Sequence, residues 1–192
     1  MLSTASSIQL LFLPKTLVLL LVSNFQRMQC EHLWMMSGPP RKRRYIPIDA
    51  VFNKLPRGSA TSLLAFYALT GCDTTSYIAN HTKQSSWKVF KEHHELPKNL
   101  AIGELTEETI DSSEMFICRI YNVQRTDSVD AARYTLFSKT PKPEAMPPTS
   151  DAFRFHLMRV HYQAMMWRNA HCPTPELPAL TEMGSRFGES GM

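Results

Sequence analysis

An apolar stretch at residues 8–22 most constrains what this chain can fold into, because such a segment must be buried in protein or in lipid. Pro14 and Lys15 interrupt the stretch, which leaves it short of the roughly 20 residues of a membrane helix, and no basic residue precedes it as in a signal peptide. Residues 16–22 read TLVLLLV, a run typical of a buried strand in a parallel sheet. We predict such a strand, and a membrane anchor through residues 10–22 is the alternative.

The composition is typical of a folded intracellular protein. Apolar residues make up 43% of the 192 residues, and the formal net charge of +4 is compatible with a polyanionic partner without requiring one. Cys30, Cys72, Cys118 and Cys172 are far apart and form no Cys-x-x-Cys pair. A disulfide framework needs denser cysteines, so we predict reduced thiols and an intracellular location.

Several segments have the apolar spacing and the end signals of helices. In residues 59–70, Leu63, Phe66 and Tyr67 recur at helical spacing, and Gly71 follows the last turn. Proline and capping residues delimit the other segments in the same way. The predicted helices are residues 24–36, 59–70, 85–93, 107–121, 129–137 and 149–169, with a helical turn at 50–55 and a short strand at 45–48.

Proline and glycine also set the expected domain layout. Residues 139–148 contain four prolines, which predicts a linker or an extended surface segment. The Pro- and Gly-punctuated sequence after residue 173 predicts disorder. We therefore expect an α/β domain at residues 8–100, a helical extension at residues 101–170 and a disordered tail at residues 171–192.

The most specific motif is Gly-Cys-Asp-Thr-Thr-Ser at residues 71–76, where a Leu-rich helix runs into a polar turn and a Lys-containing loop leads to a second helix. It resembles the helix–turn–helix region of PIN-like, flap-endonuclease-type nuclease domains, above all those of mobile-element-derived proteins. Tyr45-Ile-Pro-Ile48 and Trp87-Lys88 are similar to flanking segments of that group. The resemblance covers residues 10–170 and implies an α/β fold, with a truncated PIN-like sheet of one or two strands followed by mostly α-helices.

The resemblance also implies a role for the turn itself. In the family, the Asp of the motif belongs to a cluster of carboxylates that binds two divalent cations, so Asp73 is the expected catalytic and metal-binding residue. Mg²⁺ and Mn²⁺ prefer oxygen ligands, and two such ions stabilise the attacking and leaving oxygens of a phosphodiester. Gly71 is expected to supply the tight turn, and Thr74 to hydrogen-bond within it.

The other acidic ligands of the family are missing from the matching sequence. The family's buried strand ends in Ser-Pro-Asp-Thr-Asp-Val, and the corresponding residues 13–18 keep the proline and threonine of that pattern. Lys15 and Leu17 replace the two acids. Leucine binds no cation and lysine repels one, so we predict that metal-dependent phosphodiester hydrolysis is lost.

Two lysines that follow the motif are candidate nucleic-acid contacts. Lys83 and Lys88 are placed to bind phosphates without sequence preference. The turn at residues 78–83 lacks the glycines with which flap endonucleases bring backbone amides close to phosphates. Two ordinary solvated lysines are the alternative interpretation.

A second basic feature lies earlier in the chain. Arg41, Lys42, Arg43 and Arg44 (the basic run) form a cluster typical of a phosphate-binding patch or a nuclear import signal. A solvated turn is the alternative. Together with the lysines, the basic run predicts non-specific binding of DNA or RNA, and an import signal would place the protein in the nucleus.

The long helix near the C-terminus offers a protein-binding surface more readily than a metal site. His156 and His161 are five residues apart, so a rotation of about 100° per residue directs them to different faces and predicts no zinc site. The apolar residues of 150–169 favour packing or a protein partner. The main functional prediction is a nuclease-related nucleic-acid binder without strong catalysis; the alternatives are a helical interaction module, a truncated gene product and a membrane-anchored peptide.

Overall fold

The structure is a computed structural model that describes residues 15–139 and 142–174. These residues divide into two compact units, with the division between Ala60 and Thr61. In the first unit the elements are α1 (Lys15–Asn24), β1 (Trp34–Ser37), β2 (Arg44–Pro47) and α2 (Ile48–Asn53). In the second unit they are α3 (Leu63–Leu69), α4 (Lys83–His93), α5 (Glu107–Ile120), α6 (Val129–Phe137) and α7 (Ser150–Arg168).

The first unit combines an antiparallel hairpin with two short helices. Met35 of β1 is buried, as is Ile48 at the start of α2. α1 packs against α2, and the ring centroids of Phe25 and Phe52 lie 5.4 Å apart. Because alternate strand residues point to opposite faces, burial of Met35 fixes which face of the hairpin is turned inward.

The prediction of a buried strand at residues 16–22 is wrong, because this segment lies within helix α1. Four of its seven residues are leucine, which forms helices readily, and an apolar run without alternation does not by itself distinguish helix from strand. Over residues 15–139 and 142–174 the sheet consists of the antiparallel pair β1–β2 alone. No helix in this described part is long and apolar enough to span a membrane. Residues 8–14 of the apolar stretch lie outside the described residues.

The prediction of a helix at residues 24–36 is also wrong over most of its length. Only a short 3-10 turn, Phe25–Met28, follows α1, and Gln29 then takes a left-handed backbone conformation with φ of 50°. The chain continues into β1, which pairs with β2 as a hairpin, and helical spacing does not reveal this pairing. The predicted strand at residues 45–48 is confirmed as β2, shifted by one residue.

The helices predicted for the second unit are confirmed. Residues 85–93, 107–121, 129–137 and 149–169 match α4 to α7 to within two residues at each end. The segment 59–70 begins as a 3-10 turn before α3. Thr82, Thr106 and Thr149 each accept a hydrogen bond from the third helical amide, which satisfies a backbone donor at the start of α4, α5 and α7.

An aromatic cluster forms the core of the second unit. The ring centroid of Phe66 lies 4.5 Å from that of Phe90 and 6.3 Å from that of Phe116, and all three side chains are buried. α3 also packs along α7. These contacts from three helices hold α3 in place, and therefore fix the point at which the turn at residues 71–76 begins.

The predicted class, mixed α/β with mostly helices, is confirmed for the described residues. The expected boundary at residue 100 falls between α4 and α5, which pack against each other within the second unit. The proline-rich segment is described from residue 142, where it runs through a short 3-10 turn, Pro143–Ala145. Residues 140–141 of that segment and residues 175–192 of the expected tail lie outside the described residues.

Candidate functional site

The turn after α3 is closed by reciprocal backbone hydrogen bonds. The Cys72 amide donates to the Thr75 carbonyl at 3.2 Å, and the Thr75 amide donates back at 3.4 Å. Gly71 has a φ of +98°, and a Cβ built on it would lie 2.7 Å from the Tyr77 Cα. Glycine is therefore required here both for its backbone conformation and for the close approach of the chain.

The threonine hydroxyls of this turn are committed to oxygen acceptors. Thr75 donates to the Ala68 carbonyl at 2.6 Å, and Thr74 donates to Gln163 Oε1 at 2.7 Å. The Cys72 Sγ lies 3.1 Å and 3.2 Å from the two hydroxyl oxygens. Because each hydroxyl proton is already donated elsewhere, the single S–H proton of Cys72 can donate to only one of the two hydroxyl oxygens at a time. The turn is thereby linked to α3 and, through Gln163, to α7.

Asp73 is exposed on this turn. Residues 15–139 and 142–174 contain no group of three or more His, Cys, Asp or Glu side chains positioned to hold a metal ion. A two-metal centre requires several carboxylates that converge on the cations. Among the described residues Asp73 therefore does not belong to such a cluster, and binding of Mg²⁺ or Mn²⁺ at this turn stays a prediction.

Lys83, at the start of α4, is engaged within the protein. Its Nζ donates to the Tyr67 carbonyl at 2.7 Å and to the Thr70 hydroxyl at 2.9 Å, and lies 3.9 Å from the centroid of the Tyr67 ring. The Tyr67 carbonyl belongs to the last turn of α3, where carbonyls lack helical partners. Lys83 thus joins the start of α4 to the end of α3. A contact of this amine with nucleic acid stays a prediction.

The stability of the chain is expected to rise between pH 8 and 10.5 because of Lys83. Burial lowers the pKa of its amine to about 8, below the ordinary 10.5. In this window the unfolded chain keeps the proton and the folded chain releases it, so stability increases with pH. After allowance for the partly exposed amine, we expect a gain of about 1 kcal/mol. Urea unfolding at the two ends of the window measures it.

A matched pair of variants isolates this contribution from the other groups that titrate at high pH. Lys83→Met should lose the gain, whereas Lys88→Met, at an exposed position of the same helix, should keep it. Equal pH dependence in wild type and Lys83→Met would show that burial does not perturb the amine.

The basic run occupies the end of the β1–β2 hairpin loop and the first residue of β2, Arg44. The Lys42 amide donates to the Pro39 carbonyl at 2.8 Å. Gly38 has a φ of +96°, and a Cβ built on it would lie 2.5 Å from the Lys42 carbonyl oxygen. All four basic side chains are exposed, and residues 32–48 contain no Asp or Glu. This end of the hairpin therefore presents four cations on an ordered backbone without an acidic neighbour within residues 32–48.

One face of the same hairpin carries exposed aromatic side chains. Trp34 pairs with Pro47 and Met36 with Tyr45, which places these four residues on the face opposite the buried Met35. Trp34 and Tyr45 are 58% and 60% exposed. Sequence reasoning missed this face because it placed Trp34 in a helix. Two short apolar runs on either side of a Gly-Pro-Pro loop were the hairpin signal that could have revealed it.

Positive charge is concentrated in the first unit. Residues 1–60 contain eight Lys or Arg against two Asp or Glu, whereas residues 61–192 contain thirteen against fifteen. The net charge of +4 therefore arises entirely from the part of the chain that carries the hairpin. Lys88, the second predicted phosphate contact, is exposed on α4 but belongs to the mildly acidic part.

The two histidines of α7 contact different segments. His161 Nε2 donates to the Gly103 carbonyl at 3.1 Å, while its Nδ1 accepts from the Ala101 amide at 3.3 Å. His156 Nε2 lies 2.9 Å from the Leu69 carbonyl. On the same helix, Phe155 and Met166 are exposed, and a protein partner there stays a prediction.

No family model matches the chain, and no curated protein or solved structure matches it either.

Proposed function

We propose that this chain binds single-stranded nucleic acid through the hairpin of its first unit, without sequence preference and without cleavage. The observation that carries the proposal is the combination of the exposed basic run with Trp34 and Tyr45 on one small, ordered element. Cations attract the phosphate backbone, and exposed aromatic rings offer surfaces on which unpaired bases stack. Neither interaction requires a particular base.

The aromatic face favours a single strand over a duplex. In a duplex the bases are already stacked on one another, so a surface ring gains little by contacting them, whereas an unpaired base can lie flat on it. Diagonal neighbours across two strands lie about 7–8 Å apart, and Trp34 and Tyr45 have this relation in the hairpin. The two rings are thus close enough to contact neighbouring bases of one strand.

Kinship with PIN-like nucleases of mobile elements is a further part of the proposal, and it is carried by the sequence of residues 71–76. The truncated PIN-like sheet it implies receives no support from residues 16–22, which are helical. The proposed loss of cleavage follows from Lys15 and Leu17 at positions where the family has acids. Cleavage that depends on Mn²⁺ and disappears in Asp73→Asn would overturn it.

Fluorescence anisotropy with a labelled single-stranded oligonucleotide tests the proposed binding. The affinity should fall as salt rises, with a log–log slope of about −3 if the four cations of the basic run each contact a phosphate. A duplex of the same sequence and an abasic strand of the same length should both bind more weakly, because neither offers free bases. Equal affinity for the abasic strand would remove stacking from the proposal, and no binding at low salt would remove the proposal itself.

Trp34→Ala is expected to weaken binding of the single strand by roughly 10-fold, since stacking on one aromatic ring contributes about 1–3 kcal/mol per base. The abasic strand should be bound as by wild type. Tyr134→Ala is the matched control, because Tyr134 is 80% exposed but lies in the second unit. Circular dichroism should show that both variants keep their helices. An equal loss in both variants would contradict a specific role of the hairpin face.

A further inference from the structure

A histidine–aspartate pair extends the exposed face of the hairpin. His32 Nδ1 lies 3.0 Å from Asp49 Oδ2. Directly before β1, the Leu33 carbonyl accepts a hydrogen bond from the Ile48 amide at 2.8 Å, which continues the pairing of the two strands by one residue. The contact between His32 and Asp49 falls at the next position, where the alternation of an extended chain returns to the side of Trp34. His32 therefore adjoins the aromatic face.

Asp49 determines which nitrogen of the His32 ring carries the proton. The Asp49 Oδ1 is buried, so the carboxylate is held against the protein and presents its other oxygen to the ring. The hydrogen bond from His32 holds the pKa of the Asp49 carboxyl below its ordinary value, so the group is ionised at neutral pH and can only accept. The Nδ1 of His32 must therefore be the donor in this contact.

The other nitrogen of the ring faces solvent. The His32 side chain is 75% exposed, and its Nε2 has no hydrogen-bond partner among the described residues. In a neutral imidazole that donates from one nitrogen, the other nitrogen is an acceptor. The hairpin face thus offers a fixed hydrogen-bond acceptor beside an aromatic ring.

This acceptor constrains which kind of strand the face can select. A surface that reads no sequence must use a donor that every nucleotide carries, and the donors on base edges differ from base to base. Each ribose of RNA has a 2′-OH that can donate, whereas the sugars and phosphates within a DNA strand only accept. Two residues of extended chain separate His32 from Trp34 by about 7 Å, a distance that one nucleotide spans. A ribose next to a base stacked on Trp34 is therefore within reach of His32.

We propose that the bound strand is RNA, and that His32 selects it by accepting a hydrogen bond from a ribose 2′-OH. This inference rests on the proposed binding of single-stranded nucleic acid by the hairpin. Trp34 contacts a base, the basic run contacts phosphates, and His32, oriented by Asp49, contacts the sugar between them. A protonated ring would instead donate to a phosphate, which RNA and DNA share. Selection of RNA is therefore a property of the neutral ring.

Fluorescence anisotropy of the full chain at pH 8, where a histidine ring is neutral, tests this selection. The probes are single strands of adenosine only and of cytidine only, each with ribose, deoxyribose or 2′-fluoro sugars. The ribose strand should bind about fivefold more tightly than the deoxyribose strand for both bases, because it gains one hydrogen bond. The 2′-fluoro strand keeps the sugar conformation of RNA but has no donor, so it should bind like the deoxyribose strand.

Three variants assign the preference to a side chain. His32→Ala should bring the affinity ratio of ribose to deoxyribose strands from about 5 to about 1. Trp34→Ala should weaken the binding of both strands and keep the ratio, because stacking does not depend on the sugar hydroxyl. His171→Ala, at an exposed position of the second unit, is the matched control and should keep both the affinity and the ratio.

The outcomes separate this proposal from the one on which it rests. Equal, measurable affinity for ribose and deoxyribose strands would overturn the selection of RNA and leave nucleic-acid binding in place. Absence of binding to every strand would overturn both. A 2′-fluoro strand bound as tightly as RNA would show that strand conformation causes the preference. A preference for ribose with only one of the two bases would show that the face reads a base edge and not the sugar.

Discussion

Gly71→Ala is expected to destabilise the second unit by at least about 3 kcal/mol. The φ of +98° is strained for any L residue, and the added Cβ would lie 2.5 Å from the Tyr77 Cδ1 and 2.7 Å from the Tyr77 Cα. A flexible side chain can move away, but the Tyr77 Cα can do so only if the backbone that follows the turn also shifts. Urea unfolding followed by circular dichroism measures the loss.

Two further variants separate the steric effect from the conformational one. Gly103 also has a positive φ, of +58°, but no atom of the described residues lies within 4 Å of a Cβ built there, so Gly103→Ala should cost only about 1–2 kcal/mol. Tyr77→Ala removes the ring and keeps the Cα, so it should not rescue Gly71→Ala. Full rescue, or equal losses at Gly71 and Gly103, would contradict the close approach of the backbone at Gly71.

Local signals were sufficient for the helices of the second unit. α5 and α7 each begin directly after a threonine, and α6 begins directly after a serine. All three helices carry their apolar residues at helical spacing. Both signals involve residues only a few positions apart, so they can be recognised in the sequence. The same reasoning failed at residues 16–22 and 24–36. Residues 16–22 form an apolar run without alternation, which fits a helix or a strand equally well. In residues 24–36 helical spacing outweighed the two apolar runs around the Gly-Pro-Pro loop, and the pairing of Trp34 with Pro47 decides the outcome.

The contacts of single side chains in the candidate site could likewise not be predicted from local sequence. The sequence places Lys83 beside the motif, but only the fold reveals that its amine satisfies the Tyr67 carbonyl sixteen residues earlier. His156 contacts the Leu69 carbonyl across 87 positions, a partner that no local spacing indicates. The sequence showed the basic run itself, whereas its position at the end of a hairpin that also carries the exposed Trp34 and Tyr45 emerges from the structure.

Neutralising the basic run by Arg41→Gln, Lys42→Gln, Arg43→Gln and Arg44→Gln together should reduce binding of single-stranded nucleic acid by at least about 100-fold at low salt. Each cation that contacts a phosphate releases a counterion, so removal of four contacts should also flatten the salt dependence by a log–log slope of about 3. All four side chains are exposed, and glutamine keeps two of their methylene groups and a polar end, so the hairpin should remain folded. Anisotropy titrations over a salt series measure both quantities.

The decisive control removes the same amount of charge from the other unit. Lys88, Lys91, Lys98 and Lys142 are exposed there, and changing all four to glutamine likewise lowers the formal net charge from +4 to zero. If general charge attracted the strand, both variants would lose affinity alike. If the hairpin is the contact surface, the control should keep the wild-type salt slope, because slopes count local phosphate contacts rather than net charge. If the salt dependence of binding were flattened in the control variant but not in the hairpin variant, the contact surface would lie at α4 and Lys88.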